Sequence, residues 1–466
     1  MERMRAWLED RVGIEGMTSD LMNHLVPRRL NPLDLLGEVT VFLFINQAVT
    51  GILLAMFYKA SATTAYQSIQ NLMHNVPLGW VIRDLHYWGA NIMVVVVFVH
   101  MLRGFYVGGY KRPREVTWIT GVVLLILTIL FAFTGYLLPW DQQSYWATVV
   151  GTAMATYTPF IGNWLQLLAR GGDYVTGTTL TRFYSVHMLV LPALMAAFIG
   201  VHIAMVTKKD QTVVEEAKHW SPEERRKKLV PFWPYTITQA TIVILIAAAA
   251  LFMIALNFRA PLLSPADPMN RDLYQPRPAW YFFSIYYILE LPTRISFLQP
   301  IDKLLDPFLI LGLPLVAFGL LFALPWLDRR PTRQPRDRKG FISAGAIVTA
   351  GIIIFTYLGA TAPLPGQGGP AVAVAHPSYH ADIVPILSAN CYVCHAGAAP
   401  TSGFNFQTYK DIMALKIVDP GHASQSLMIQ KLTGQVPPQM PLGGKPLPKA
   451  TITTIANWIN EGAPDN

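Results

Sequence analysis

Hydrophobic positions in this chain neither alternate nor recur every third or fourth residue. They run together. Seven stretches, about residues 38–58, 80–102, 116–138, 183–206, 236–257, 306–327 and 341–361, are apolar almost throughout. Crossing ~30 Å of hydrocarbon as a helix takes about 20 such residues, so each stretch predicts a transmembrane helix. The fourth contains Pro192 and the sixth Pro314; a bundle tolerates both, because neighbouring helices satisfy the carbonyls a proline frees. Residues 1–36 are mixed in polarity, with no charge-flanked, cleavable signal before the first run, and read as an interfacial segment. Residues 362–375 (APLPGQGGPAVAVA) read as a linker. Residues 376–466 hold no spanning run and predict a separate small soluble domain. The expected fold class is all-α: a polytopic membrane bundle of seven transmembrane helices plus a small soluble α-helical domain.

Composition agrees. Of 466 residues, 52% are hydrophobic and 14% charged, against about 25% charged in soluble domains. This excludes a disordered chain. With two cysteines, Cys391 and Cys394, it also excludes a disulfide-built secreted domain. The net charge of +8 suits either nucleic acid or membrane loops, and location decides. With the N-terminus cytoplasmic, the loops on that side carry 22 Lys and Arg, against nine on the other side up to residue 375. The positive-inside rule selects this topology. It sends residues 376–466, with five lysines and five acidic residues, to the outer, periplasmic side of a bacterial inner membrane. The excess is loop charge, and no nucleic-acid partner is expected.

Four histidines fall inside the runs: His86 and His100 in the second, His187 and His202 in the fourth. An ionisable residue at membrane depth is costly and marks a functional hypothesis. The spacings are 14 and 15 residues. At ~100° and 1.5 Å per residue, each pair stays within about 40–60° of one face, ~21–22.5 Å apart. Two helices running the same way thus present matched histidines at two depths. This suits two stacked haems, gripped by His86 with His187 near the outer face and by His100 with His202 near the inner face. Gly37 and Gly51 in the first run, and Gly121 and Gly135 in the third, repeat the 14-residue period. A flat macrocycle against a helix needs positions without a side chain. Arg83 and Arg103 flank the histidines of the second run and are candidate propionate partners, with snorkelling to headgroups as the alternative.

The segments RDLHYWGANIMVVVVFVHMLRGFY, GGYKRPREVTWITGV and FTGYLLPWDQQSYWA resemble cytochrome b of the cytochrome bc complexes, closest to the chloroplast-type and related bacterial branch. Residues 37–232 are similar to its four-helix di-haem core. Residues 233–361 resemble that branch's separate subunit IV, here fused. The resemblance implies two non-covalent b-type haems, a quinol-oxidising pocket outside and a quinone-reducing pocket inside. Relatives usually read Pro-Glu-Trp-Tyr in the outer pocket, with the glutamate taking a proton from quinol. Here the residues are Pro278, Ala279, Trp280 and Tyr281, and alanine accepts no proton. Tyr286, Glu290, Asp272 or water are candidate substitutes. Residues 139–182, with Tyr145, resemble the pocket's other wall. Asp20, Arg28, Lys208 and Asp210 would lie near the inner site by resemblance. The branch's extra covalent haem is excluded, because residues 33–36 are Leu-Asp-Leu-Leu and no cysteine lies outside 391–394.

Cys391-Tyr-Val-Cys394-His395 is a CxxCH motif. Two cysteines bond the haem vinyls and the adjacent histidine ligates iron, which predicts one covalent c-type haem. Such attachment happens outside the cytoplasm, where the charge count places this domain. Met440 is the expected sixth ligand, with Met428, Met413 and His422 as alternatives. Residues 450–462 read as the closing helix of a small class I-like cytochrome c, so 376–466 is expected to be a cytochrome c domain.

The combined reading is the haem-carrying core of a proton-translocating quinol–cytochrome c oxidoreductase, working with quinol and quinone. Expected partners are a Rieske-type iron–sulfur protein, a further cytochrome c subunit or soluble acceptor, and membrane lipid. A homodimeric, multi-subunit complex is expected. The alternatives are a non-bifurcating electron relay, suggested by Ala279, and a transporter or scaffold whose histidines bind no haem.

Overall fold

The structure is a computed structural model. It describes residues 25–28, 32–208, 219–268, 278–295, 298, 301–361, 373–395, 404–441 and 446–466. Asp20, Asp210 and Asp272 lie outside the described residues, as do the side chains of Lys208 and Cys394 and most of the expected linker.

Among the described residues, seven helices are long and apolar enough to cross a membrane: α1 (Pro32–Ala55), α2 (Gly79–Tyr106), α3 (Glu115–Tyr136), α4 (Gly177–Thr207), α5 (Phe232–Asn257), α6 (Leu304–Leu327) and α7 (Pro335–Thr361). All seven expected runs are present, most with an extra turn at one or both ends, because polar residues extend a helix past its apolar stretch. The chain forms two compact units. One comprises residues 1–140, 148–263 and 279–357; the other comprises residues 141–147, 264–278 and 358–466.

In the first unit, α1 packs along α2, α4 along α3, α5 against α1 and α2, and α6 against α3. Leu43, Met93, Leu127, Leu191, Met195 and Leu251 fill the centre. Outward faces stay apolar, with Ile246, Leu315 and Ile347 exposed, as lipid contact requires. A short antiparallel pair, β1 (Leu25–Pro27) and β2 (Leu229–Pro231), sets Val26 opposite Val230. Arg28 donates its backbone N–H to Lys228 O.

Both prolines expected to be tolerated within the spans sit just after a π turn. Val186–Val190 precedes Pro192, with Leu191 N–H donating to Val186 O. Phe308–Gly312 precedes Pro314, with Leu313 N–H donating to Phe308 O. A proline lacks the N–H for the bond four residues back and collides with that carbonyl. A five-residue turn moves the carbonyl aside.

Polar clamps close both ends of the first unit. Arg83 in α2 donates to Ala260 O and Pro261 O at 2.8 and 2.6 Å. Its neighbour Asp84 accepts from Ala260 N–H and pairs with Arg259. The arginine expected to meet a propionate therefore ties α2 to the segment after α5. At the other end Asp328 is fully buried and receives Tyr110, Lys111 and Arg338. The carboxylate joins the turn after α2 to both ends of the α6–α7 loop.

In the second unit, residues 373–466 fold around Trp458, Tyr379, Ile383, Leu387, Ile455 and Ile459. The closing helix runs Lys449–Asn460 and stops before Gly462, whose φ of +92° favours glycine. Val374, assigned to the linker by composition, is bonded at both backbone groups to Thr454 and Asn457. The domain therefore begins earlier than composition suggests.

Candidate functional site

Histidines and glycines of the first unit meet one to one. A Cβ added to Gly37 would lie 3.5 Å from Cε1 of His100, on Gly51 3.3 Å from Cε1 of His86, on Gly121 3.4 Å from Cε1 of His202, and on Gly135 2.6 Å from Cε1 of His187. The bare backbones make room for the imidazoles themselves, where the sequence reading made room for a macrocycle. Each of α1 and α3 supplies two such positions, one per end.

The residue before the glycine completes the arrangement at three sites. Thr50 Oγ1 lies 2.9 Å from His86 Nδ1, Thr120 Oγ1 2.9 Å from His202 Nδ1, and Thr134 Oγ1 3.1 Å from His187 Nδ1. Each hydroxyl spends its own proton on a helix carbonyl one turn back: Asn46, Val116 and Leu130. The threonine oxygen is therefore the acceptor and Nδ1–H the donor. This fixes the tautomer and leaves Nε2 bare as a metal ligand. The Thr-Gly pairs 50–51, 120–121 and 134–135 are plain in the sequence, but sequence reasoning singled out only the glycines.

His86 and His187 face each other with ring centroids 6.4 Å apart. Two metal–imidazole bonds of about 2 Å plus two ring radii need roughly 6.3–6.5 Å. His100 lies beside His202 at the other end. His86 and His187 fit bis-histidine ligation on both grounds, ring spacing and tautomer, and His202 fits on tautomer. The 15-residue interval between His187 and His202 is also accounted for. The π turn at 186–190 takes up one residue, so these histidines keep phase with the 14-residue period of α2 and α3. Arg103 at this end pairs with Asp34.

Trp280 begins a short 3₁₀ turn, Trp280–Phe282, that leads into the helix Phe283–Arg294. Trp280 Nε1–H donates to Asn91 Oδ1 of α2 at 2.6 Å. Burial, with Tyr87 beside it, pushes the Tyr281 hydroxyl above its ordinary value, so it stays a neutral donor. Glu290, from the same helix as Tyr286, pairs with Arg294, whose guanidinium also lies over the Tyr287 ring. Glu290 is the only carboxylate among residues 278–295. In the second unit, Tyr145 is buried on a turn built by Asp141 and Ser144, and Pro278 is half-buried.

In the C-terminal domain, Cys391 is half-buried. The His395 ring stacks on Phe406 at 4.1 Å and 5°, which holds its plane. Burial pushes His395 below the ordinary imidazole value, against the pull of Phe404 O, so at neutral pH the ring is uncharged, as a ligand must be. Met440 is half-buried at the edge of the core, and its backbone N–H donates to Lys431 O. Met428 is part of the buried core, Met413 packs against it, and His422 is exposed beside Asp419.

Fold and site together define a membrane-spanning, haem-binding electron-transfer protein. The cytochrome b/b6/petB family matches residues 21–210, the C-terminal cytochrome b/b6/petD family residues 265–369, and the planctomycete cytochrome c family residues 391–441. Cytochrome b of Cereibacter sphaeroides is 34% identical over 368 residues, covering 76% of this chain and 82% of that protein. Cytochrome b6 of Prochlorococcus marinus strain MIT 9515 is 42% identical over 203 residues, covering 44% of this chain and 93% of that protein. A solved hyperthermophilic respiratory Complex III chain superposes with a TM-score of 0.66 at 28% identity, covering 77% of this chain and 92% of that one. The chain belongs to the cytochrome b family and carries a c-type cytochrome domain at its C-terminal end.

Proposed function

We propose that this cytochrome b is the core of a quinol–cytochrome c oxidoreductase. It oxidises membrane quinol at the His86 end, sends one electron to its c-type domain by way of a Rieske-type partner and passes the other inward to reduce quinone at the His100 end. The carrying observation is the set of paired histidines in α2 and α4, three of them held in one tautomer by threonine. His86 with His187, and His100 with His202, would each hold a b-type haem. Bound there, haem supplies reversible one-electron chemistry at two depths. The protein's part is to fix imidazole tautomer and plane and to exclude water. Cys391, Cys394 and His395 would hold the c-type haem, and Met440 its sixth position. Trp280 is set by Asn91, and Tyr281 offers quinol a neutral hydroxyl.

Glu290 takes the role of proton acceptor that Ala279 lacks, because it is the carboxylate on the helix this motif opens. Proton release at the His86 end and uptake at the His100 end would couple turnover to a gradient. The Lys and Arg distribution supports a c-type domain outside a bacterial inner membrane, and the complex would be homodimeric. A reduced-minus-oxidised spectrum of the purified complex should show b and c bands, and quinol should reduce cytochrome c. Absence of b bands would refute the paired-histidine reading.

Ala279 favours one second reading, a relay that passes electrons without bifurcation. Turnover sensitive to an outer-pocket inhibitor supports bifurcation; insensitive turnover supports the relay.

A further inference from the structure

Three of the four spanning histidines share one environment, and the fourth departs from it. The Nδ1 of His100 is buried and has no hydrogen-bond partner among the described residues. Gly37 sits beneath its ring as the other glycines do. However, the residue before Gly37 is Leu36, where the other sites carry Thr50, Thr120 and Thr134. The backbone differs too. Leu36 stands at the junction of the 3₁₀ turn Pro32–Leu35 with the α-helix beginning at residue 36. The carbonyls one turn before Gly37 therefore lie off the α-helical path. The other three sites are preceded by full α-helical turns.

We propose that position 36 tunes the electron affinity of the haem at the His100 end. This rests on the two-haem reading above. A ligating imidazole that donates its second N–H becomes a stronger base and favours the more highly charged ferric iron. Hydrogen bonding around the ligands is one of the protein's levers on a haem potential. His86, His187 and His202 have that support, and His100 does not. Uptake of one electron, ferric to ferrous, is thus easier at the His100 end, and the difference is written into one side chain of α1. Leu36 touches neither quinone nor iron in this account; it is a positioning residue that acts through what it withholds from His100.

The test is potentiometric titration of the b-type absorbance in the purified full-chain complex. The ferric low-spin electron paramagnetic resonance spectrum is recorded alongside. Leu36→Thr supplies the missing acceptor and should favour ferric iron about tenfold in one of the two b components, a fall of about 59 mV for a one-electron couple. Leu36→Ala removes packing without adding an acceptor and should leave that potential in place. Thr50→Val should move only the other component, upward. Equal shifts for Leu36→Thr and Leu36→Ala would overturn the proposal, as would no shift with Leu36→Thr. If Leu36→Thr does not retain haem, Thr120→Val takes its place, because it strips His202 at the same end. It should raise the same component's potential, and no shift would overturn the proposal. Two b components missing from the unaltered protein would instead refute the two-haem reading.

Discussion

Gly135 and His187 are in the tightest of the four histidine–glycine contacts. A Cβ on Gly135 would lie 2.6 Å from Cε1 of His187, closer than such atoms approach in folded proteins, whereas on Gly37 it would lie 3.5 Å from Cε1 of His100. Substitution to alanine should therefore be graded. Gly135→Ala should displace His187 and cost most of the b absorbance at that end, and Gly37→Ala should retain haem. Quantifying b haem per polypeptide in membranes checks the order. Equal loss in both would show that small-residue helix packing, rather than the imidazoles, sets these positions.

The π turn beside His187 makes a second prediction. Deleting Leu189, an exposed residue of that turn, together with Pro192→Ala, leaves 14 residues between His187 and His202 in an uninterrupted α-helix. Both b haems should be retained. Deleting Leu189 alone leaves the proline against an α-helical carbonyl, a conflict of about 3 kcal/mol, and should lower the thermal midpoint. Haem content and thermal unfolding in detergent separate the two.

Glu290 is testable through turnover. Glu290→Gln should cut quinol oxidation by at least about 10²-fold, the lower range for removing a general base. Ala279→Glu in the same chain should restore part of it. Thermal midpoints should stay within a few degrees, since glutamine still accepts a bond from Arg294. Full activity of Glu290→Gln would assign the proton to water, Tyr286 or Asp272.

Asp328 links stability to pH. Burial pushes its carboxyl up, but bonds from Tyr110, Lys111 and Arg338 outweigh burial and hold it below the usual carboxylate range. A lowered folded value contributes stability above the unfolded pKa of about 3.9 and loses it as pH falls through the folded value. Unfolding midpoints should therefore drop below about pH 4, and less steeply in Asp328→Asn. At neutral pH that substitution leaves Lys111 and Arg338 buried without a counter-charge, at a cost of about 3–5 kcal/mol.

The sequence carried the haem site further than the rest because its signals are periodic. Histidines and glycines 14 residues apart can be counted without knowing how helices pack, and length with hydropathy locates seven spans. Pairing partners distant in the chain was another matter. Arg83 sits where a propionate partner would, and only the fold reveals that Ala260 and Pro261 take its guanidinium. Asp328 looks like an ordinary loop aspartate until Tyr110 and Arg338 converge on it. The 15-residue interval in α4 reads as an angular offset on an ideal helix, because a π turn leaves no local sequence mark beyond the proline after it.

The two clamps also bear on how this chain is joined. Cytochrome b6 of Prochlorococcus marinus corresponds to 203 residues of it, and the remainder of the membrane bundle follows the loop before α5. Arg83 reaches across that loop to Ala260, Trp118 Nε1–H to Leu321 O, and Tyr110 and Lys111 to Asp328. These cross-ties are non-covalent and join the two stretches at both ends of the bundle. Two co-expressed pieces, cut between residues 212 and 213, should find each other in the membrane and copurify as one haem-bearing particle. The continuous polypeptide then fixes stoichiometry and the timing of assembly, and leaves the architecture to the side chains.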